Sequence, residues 1–163
     1  MAKDDVTDAQ ISLLLGMPKR VLNPTAKSKI EGRHERTDYK VESLDGSHEF
    51  ALFTRQSTRL KTSYSAGLRW LRPGSESVML MRCNGSSHEH GNQIEGTKIS
   101  FVCHVHIATE RYLSVGKRDE GFAKPTAGYN SAIGALRRLV ESCNIEGLDP
   151  RDNGTAQLSF EDA

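Results

Sequence analysis

Between Ile99 and Ile107 every odd position is apolar: Ile99, Phe101, Cys103, Val105 and Ile107. Successive side chains of an extended chain point to opposite faces, so this alternation predicts one strand with a face committed to a core. Lys98, Ser100, His104 and His106 then share the opposite face with Val102. A chain carrying such a strand must build a sheet that packs on one side. On the other side, expected to be open, two imidazoles stand next to each other. A second His-x-His, His88-Glu89-His90, lies a short way upstream.

The flanking sequence supplies further strands and two helices. Thr7-Asp8-Ala9-Gln10 fits a capping box, and Ile11, Leu14 and Leu15 make the apolar stripe of a short helix ended by Gly16 and Pro18. Asp38 to Leu44 and His48 to Thr54, joined by Asp45-Gly46-Ser47, read as a β-hairpin. Tyr64 to Leu71 and Ser77 to Cys83 read as strands, separated by the turn signal Arg72-Pro73-Gly74, with Met79 and Met81 on one face. Residues 86–96 read as a polar loop, and 109–125 as a further hairpin or an ordered loop. Asn130 to Cys143, with Ile133, Leu136, Leu139 and Val140 at helical spacing, is the long helix. The expected fold is α+β: an antiparallel sheet with an N-terminal and a C-terminal helix packed on one face and the other face open. One domain should span 1–148, including a flexible basic loop at 19–36, and 149–163 should form a disordered acidic tail.

Charge is unevenly distributed. Net charge is only +1, which argues against a wholly basic nucleic-acid binder. Residues 55–124, however, hold eleven Lys/Arg against six Asp/Glu, net +5, whereas 1–54 are net −1 and 125–163 net −3. The basic middle coincides with the histidines and favours an anionic ligand there. No segment reaches the roughly 20 apolar residues that span a bilayer. Cys83, Cys103 and Cys143 form an odd set without Cys-x-x-Cys spacing, as reduced cysteines of a cytoplasmic protein would.

Three readings follow. Histidines beside cations suit metal-independent cleavage of RNA by its own 2′-hydroxyl, because imidazole can take or give a proton near neutral pH. In that reading His104 and His106 move protons and His88 substitutes for or positions them. Lys98, Arg111, Lys117 and Lys124 clamp phosphate, and Tyr112 stacks a base or donates its hydroxyl. The second reading is a metal-dependent hydrolase or metal-binding protein, with zinc or another divalent ion held by His104, His106 and His88, or His90 in place of His88, and Glu89 or Glu110 completing the site. The third is a non-enzymatic inhibitor or antitoxin-like interaction protein using the 19–36 loop and the tail. Beside all three stands the plain structural alternative, in which the histidines merely hydrogen-bond across strands. His34 and His48 are expected to be solvated, and Trp70 and Tyr64 to pack in the sheet.

The order of an N-terminal helix, the strand EFALFTRQSTRL, GSSH, CHVHI and a closing helix ending in ESCNI resembles a small family of bacterial and phage-borne domains of unknown function. The resemblance covers roughly residues 7–148. It matches a family histidine to His88 and the family His-x-His to His104 and His106, while His90 stands where the family pattern has another polar residue. The stretch from Arg111 to Lys124 departs from that pattern, which touches Tyr112 and Lys117. The resemblance implies a compact α+β domain encoded near toxin–antitoxin or phage-defence genes, and brings no activity with it.

Overall fold

The alternation from 99 to 107 is only half realised. In the computed structural model, which describes Lys3 and residues 5–150, the segment divides into two strands that belong to different sheets. The elements in chain order are α1 (Asp8–Gly16), β1 (Lys19–Val21), β2 (Lys29–Glu31), β3 (His34–Ser43), β4 (Glu49–Ser57), β5 (Tyr64–Leu71) and β6 (Val78–Asn84). They continue with β7 (His90–Asn92), β8 (Thr97–Ile99), β9 (His104–Ile107), α2 (Glu110–Leu113), β10 (Ala123–Pro125), α3 (Ala132–Ser142) and β11 (Ile145–Glu146). Between β8 and β9 the chain turns, with the Val102 N–H donating to the Ser100 carbonyl at 2.7 Å. Phe101, expected in the core, is 61% exposed.

Among the described residues nine strands form the main sheet, ordered β10-β9-β6-β5-β4-β3-β1-β11, with β2 paired to β3. β3 to β6 are an antiparallel meander. The β3–β4 turn places Gly46 at φ 75°, the left-handed conformation an Asp-Gly turn needs. β1 and β11 pair in parallel, closing the far edge after α3 has crossed over β5 and β6. Ser131 caps α3 by accepting from the Gly134 N–H, and Leu136, Leu139 and Cys143 reach Leu52, Leu68 and Met81 in one core. The α+β class is therefore met.

Several expectations change. The 19–36 stretch is not a flexible loop: β1 pairs with β3 across about 20 positions and β2 pairs with it locally, so backbone pairing orders a segment that has no apolar pattern of its own. The 86–96 loop contributes β7 to a β7–β8 hairpin. The 109–125 stretch is α2 plus the edge strand β10. A register shift at Leu68/Arg69 opposite Met79 to Met81 separates the two methionines. Met81 joins the core beside Cys143, while Met79 lies against Gly67, where Phe53 also packs. Of the expected tail, residues 151–163 lie outside the described residues. Among those described, no helix is long and apolar enough to cross a membrane.

Candidate functional site

β6 is apolar except at its end, where Arg82 and Asn84 flank Cys83. It pairs with β9 so that Arg82 faces His106, Cys83 faces Val105 and Asn84 faces His104. Directly paired residues share a sheet face. Cys83 and Val105 therefore point into the core, and the four polar side chains point away from it together.

That second face is not open. His104 is fully buried and His106 is 5% exposed. The β7–β8 hairpin and the loop between α2 and β10 cover them. Asn92 fastens the hairpin to β10: its Nδ2 donates to the Ala123 carbonyl and its Oδ1 accepts from the Ala123 N–H, both at 2.9 Å. Asp119, also buried, fastens the loop by accepting from the Met79 N–H at 2.9 Å and from Lys3 Nζ at 2.8 Å.

Folding thus brings four histidines into contact. Ring centroids are 5.0 Å apart for His104–His106, 4.7 Å for His90–His106, 5.9 Å for His90–His104 and 5.0 Å for His88–His104. The hydrogen bonds fix three tautomers, because a carbonyl oxygen only accepts. His106 Nδ1 donates to the Glu120 carbonyl at 2.7 Å, His104 Nδ1 to the Val102 carbonyl at 2.9 Å, and His90 Nε2 to the Gly121 carbonyl at 2.9 Å. In the neutral imidazole the remaining nitrogen carries a lone pair. On His106 it accepts weakly from Asn84 Nδ2 at 3.3 Å, whereas His104 Nε2 is buried without a partner.

Burial is the main cause that pulls His106, His104 and His88 below the ordinary imidazole range. Desolvation pulls His106 down to about 3, against a partly offsetting bond to the Glu120 carbonyl, and His104, His90 and Arg82 lower it further. His104 is lowered by desolvation and by His88, His90 and Arg82, and His88 by desolvation, His90 and Arg82. Among the described residues, no group of three or more His, Cys, Asp or Glu side chains stands arranged around one metal position.

The cluster opens onto a cavity of about 600 Å³. His88, His90 and His106 share its wall with Arg82, Lys117 and Arg118. Arg82 is held by Glu120 Oε1 at 2.7 Å and Ser65 Oγ at 3.2 Å, leaving its buried Nε unpartnered. Lys117 is exposed and donates to Gln93 Oε1 at 3.0 Å.

Of the residues expected from sequence, His88, His106, Lys117 and Tyr112 border this cavity, and His104 lies behind them. Tyr112 is not a stacking platform: it is 1% exposed, and its hydroxyl donates to Glu95 Oε1 while accepting from the Ile94 N–H. Lys98, Arg111 and Lys124 do not line the cavity. Lys98 lies 3.6 Å from Glu89, Arg111 pairs with Glu95, and Lys124 is exposed on the edge strand. The sequence carries no motif for Arg82, Asn84 and Arg118, and offers His90 only as a loop residue or as an alternative to His88 in a metal site. The interruption of an apolar strand by Arg82 and Asn84 was the available signal. Comparison with protein families, with curated proteins and with solved structures gives no match for this chain.

Proposed function

We propose that the chain is an endoribonuclease-like domain of toxin or phage-defence type that cleaves RNA in the histidine-lined cavity. The carrying observation is that one cavity, of a size suited to a nucleotide, joins three histidines to Arg82, Lys117 and Arg118. The three cations match a phosphodiester and the charge that grows on it during displacement. The RNA 2′-oxygen bonds to phosphorus, its proton passes to a neutral imidazole, and the bond to the 5′-oxygen breaks. The products are a 2′,3′-cyclic phosphate and a 5′-hydroxyl that takes its proton from water.

The division of labour differs from the one expected from sequence. His88 is exposed at the cavity wall, so it is the imidazole best placed to exchange protons with bound RNA. His104 cannot reach solvent, and His106 has both ring nitrogens engaged. This reading carries a cytoplasmic location and RNA or a related anionic ligand as partner.

Labelled RNA incubated with purified protein, once in chelator and once with added zinc, tests it. Cleavage to 2′,3′-cyclic ends, reduced at least tenfold by His88→Ala, is the expected result. RNA that stays intact in both conditions, or cleavage unaffected by both His88→Ala and Arg82→Gln, refutes it.

A further inference from the structure

The three innermost histidines share a feature that acid–base chemistry does not use. Each spends one ring N–H on a backbone carbonyl of Val102, Glu120 or Gly121 and keeps its other nitrogen as a lone pair. Metal-bound histidines are typically oriented in this way: the outer N–H is anchored, which fixes the tautomer and makes the inner nitrogen more basic. On His104 the inner nitrogen is completely buried with nothing to bond. A buried lone pair without a donor is costly, and a native chain retains one where something fills it.

The spacing agrees. Two imidazoles bound to one tetrahedral ion at metal–nitrogen distances of about 2.0–2.1 Å have ring centroids about 5 Å apart. His90, His104 and His106 form a closed triangle with sides of 5.9, 4.7 and 5.0 Å. In the structure these nitrogens do not surround one point and His106 Nε2 accepts from Asn84, so binding requires a ring adjustment and displacement of the Asn84 amide.

We propose that His90, His104 and His106 form a site for a divalent transition-metal ion of the zinc class, with its open coordination position facing the cavity. The choice of class follows from the donors: three neutral imidazoles suit zinc, cobalt or nickel, whereas magnesium and calcium take oxygen ligands. Of the two upstream histidines that the sequence offers as third ligand, His90 takes the place, because the hairpin that Asn92 anchors brings His90 against both β9 histidines. His88 stays outside as a cavity-wall group. An ion here would lower the pKa of a water bound at its open position. The assignment rests on the three rings and not on the identity of the substrate.

The test uses the full chain without a polyhistidine tag, stripped with EDTA and titrated with Co²⁺ and, in competition, Zn²⁺. One equivalent of Co²⁺ should bind and give the visible absorption bands of a nitrogen-rich site, and Zn²⁺ should displace it and raise Tm. His90→Ala and His106→Gln should each weaken binding at least tenfold, while His88→Ala leaves the stoichiometry at one. His90 is only half-buried, so its variant is readable even if the His106 variant folds poorly. Absence of stoichiometric binding overturns the proposal, as does binding that survives His90→Ala or disappears in His88→Ala. Metal binding is read here without RNA. Loss of the ribonuclease reading with an intact cobalt spectrum, or the reverse, therefore separates the two.

Discussion

Removing one oxygen from Tyr129 should test how β6 and β9 are held together behind the histidines. The Tyr129 hydroxyl is buried and donates to the Asn84 carbonyl at 2.8 Å, with the His104 carbonyl 3.1 Å away. Asn84 and His104 are partners across the two strands, so the hydroxyl braces that pair from the core side. Burial raises the phenol far above its ordinary pKa, so it remains a donor at every working pH. Tyr129→Phe keeps the ring, including its edge contact with Tyr64 at 6.5 Å, and deletes the donor alone. A lost neutral hydrogen bond costs about 1 kcal/mol net, and the Asn84 carbonyl stays opposite His104 in the β6–β9 ladder. The expected destabilisation is therefore about 1 kcal/mol. With a urea m-value of about 2 kcal/mol/M, the unfolding midpoint should fall by about 0.5 M. A midpoint unchanged within about 0.2 M, at unchanged m, would refute the argument that this hydroxyl carries the strand pair.

Metal-free protein should lose stability on acidification from pH 7.5 to 5. His106 holds its proton only below about 3 when folded but below about 6.5 when unfolded, so the unfolded chain takes up the proton first; the loss from this group is about 2 kcal/mol by pH 5, read by denaturant titration in EDTA. Gly121→Ala should lower Tm by several degrees, because the added Cβ would lie 2.2 Å from a Tyr112 ring carbon and the overpacking costs about 1–3 kcal/mol. Lys19→Ala should destabilise by at least about 2 kcal/mol in the same unfolding assay. The buried ammonium donates to the carbonyls of Leu15, Met17 and Cys143 at 2.9, 2.9 and 2.7 Å, and the substitution removes all three donors.

Local pattern was enough where the pattern was the cause. β5 runs over Tyr64–Leu71, closed where the Arg72-Pro73-Gly74 turn signal predicts, Asp45-Gly46 turns the chain between β3 and β4, and Thr7 caps α1 by accepting from the Gln10 N–H. The sequence also placed His104 and His106 together, because Val105 commits one face of β9 to the core and leaves the two histidines on the other. It could not reveal that this face is roofed. The roof depends on Asn92 meeting Ala123 and on Asp119 meeting Met79, contacts 31 and 40 positions apart that leave no periodic trace. For the same reason His90 read as a loop residue and Tyr112 as a surface aromatic, and the run from Ile99 to Ile107 read as one strand. Its alternation continues through Phe101, but a turn at Ser100 to Cys103 breaks the strand and turns that ring into water.

The pairing of Asn92 with Ala123 has a consequence beyond the cavity. β10 is the last strand on its side of the sheet, and the outward N–H and C=O of such a border strand can recruit a foreign chain. Here one carboxamide occupies both groups of Ala123, imitating the amide of a neighbouring strand with a single side chain. The clasp that shuts the histidine chamber therefore also keeps this border from acting as a template for self-association.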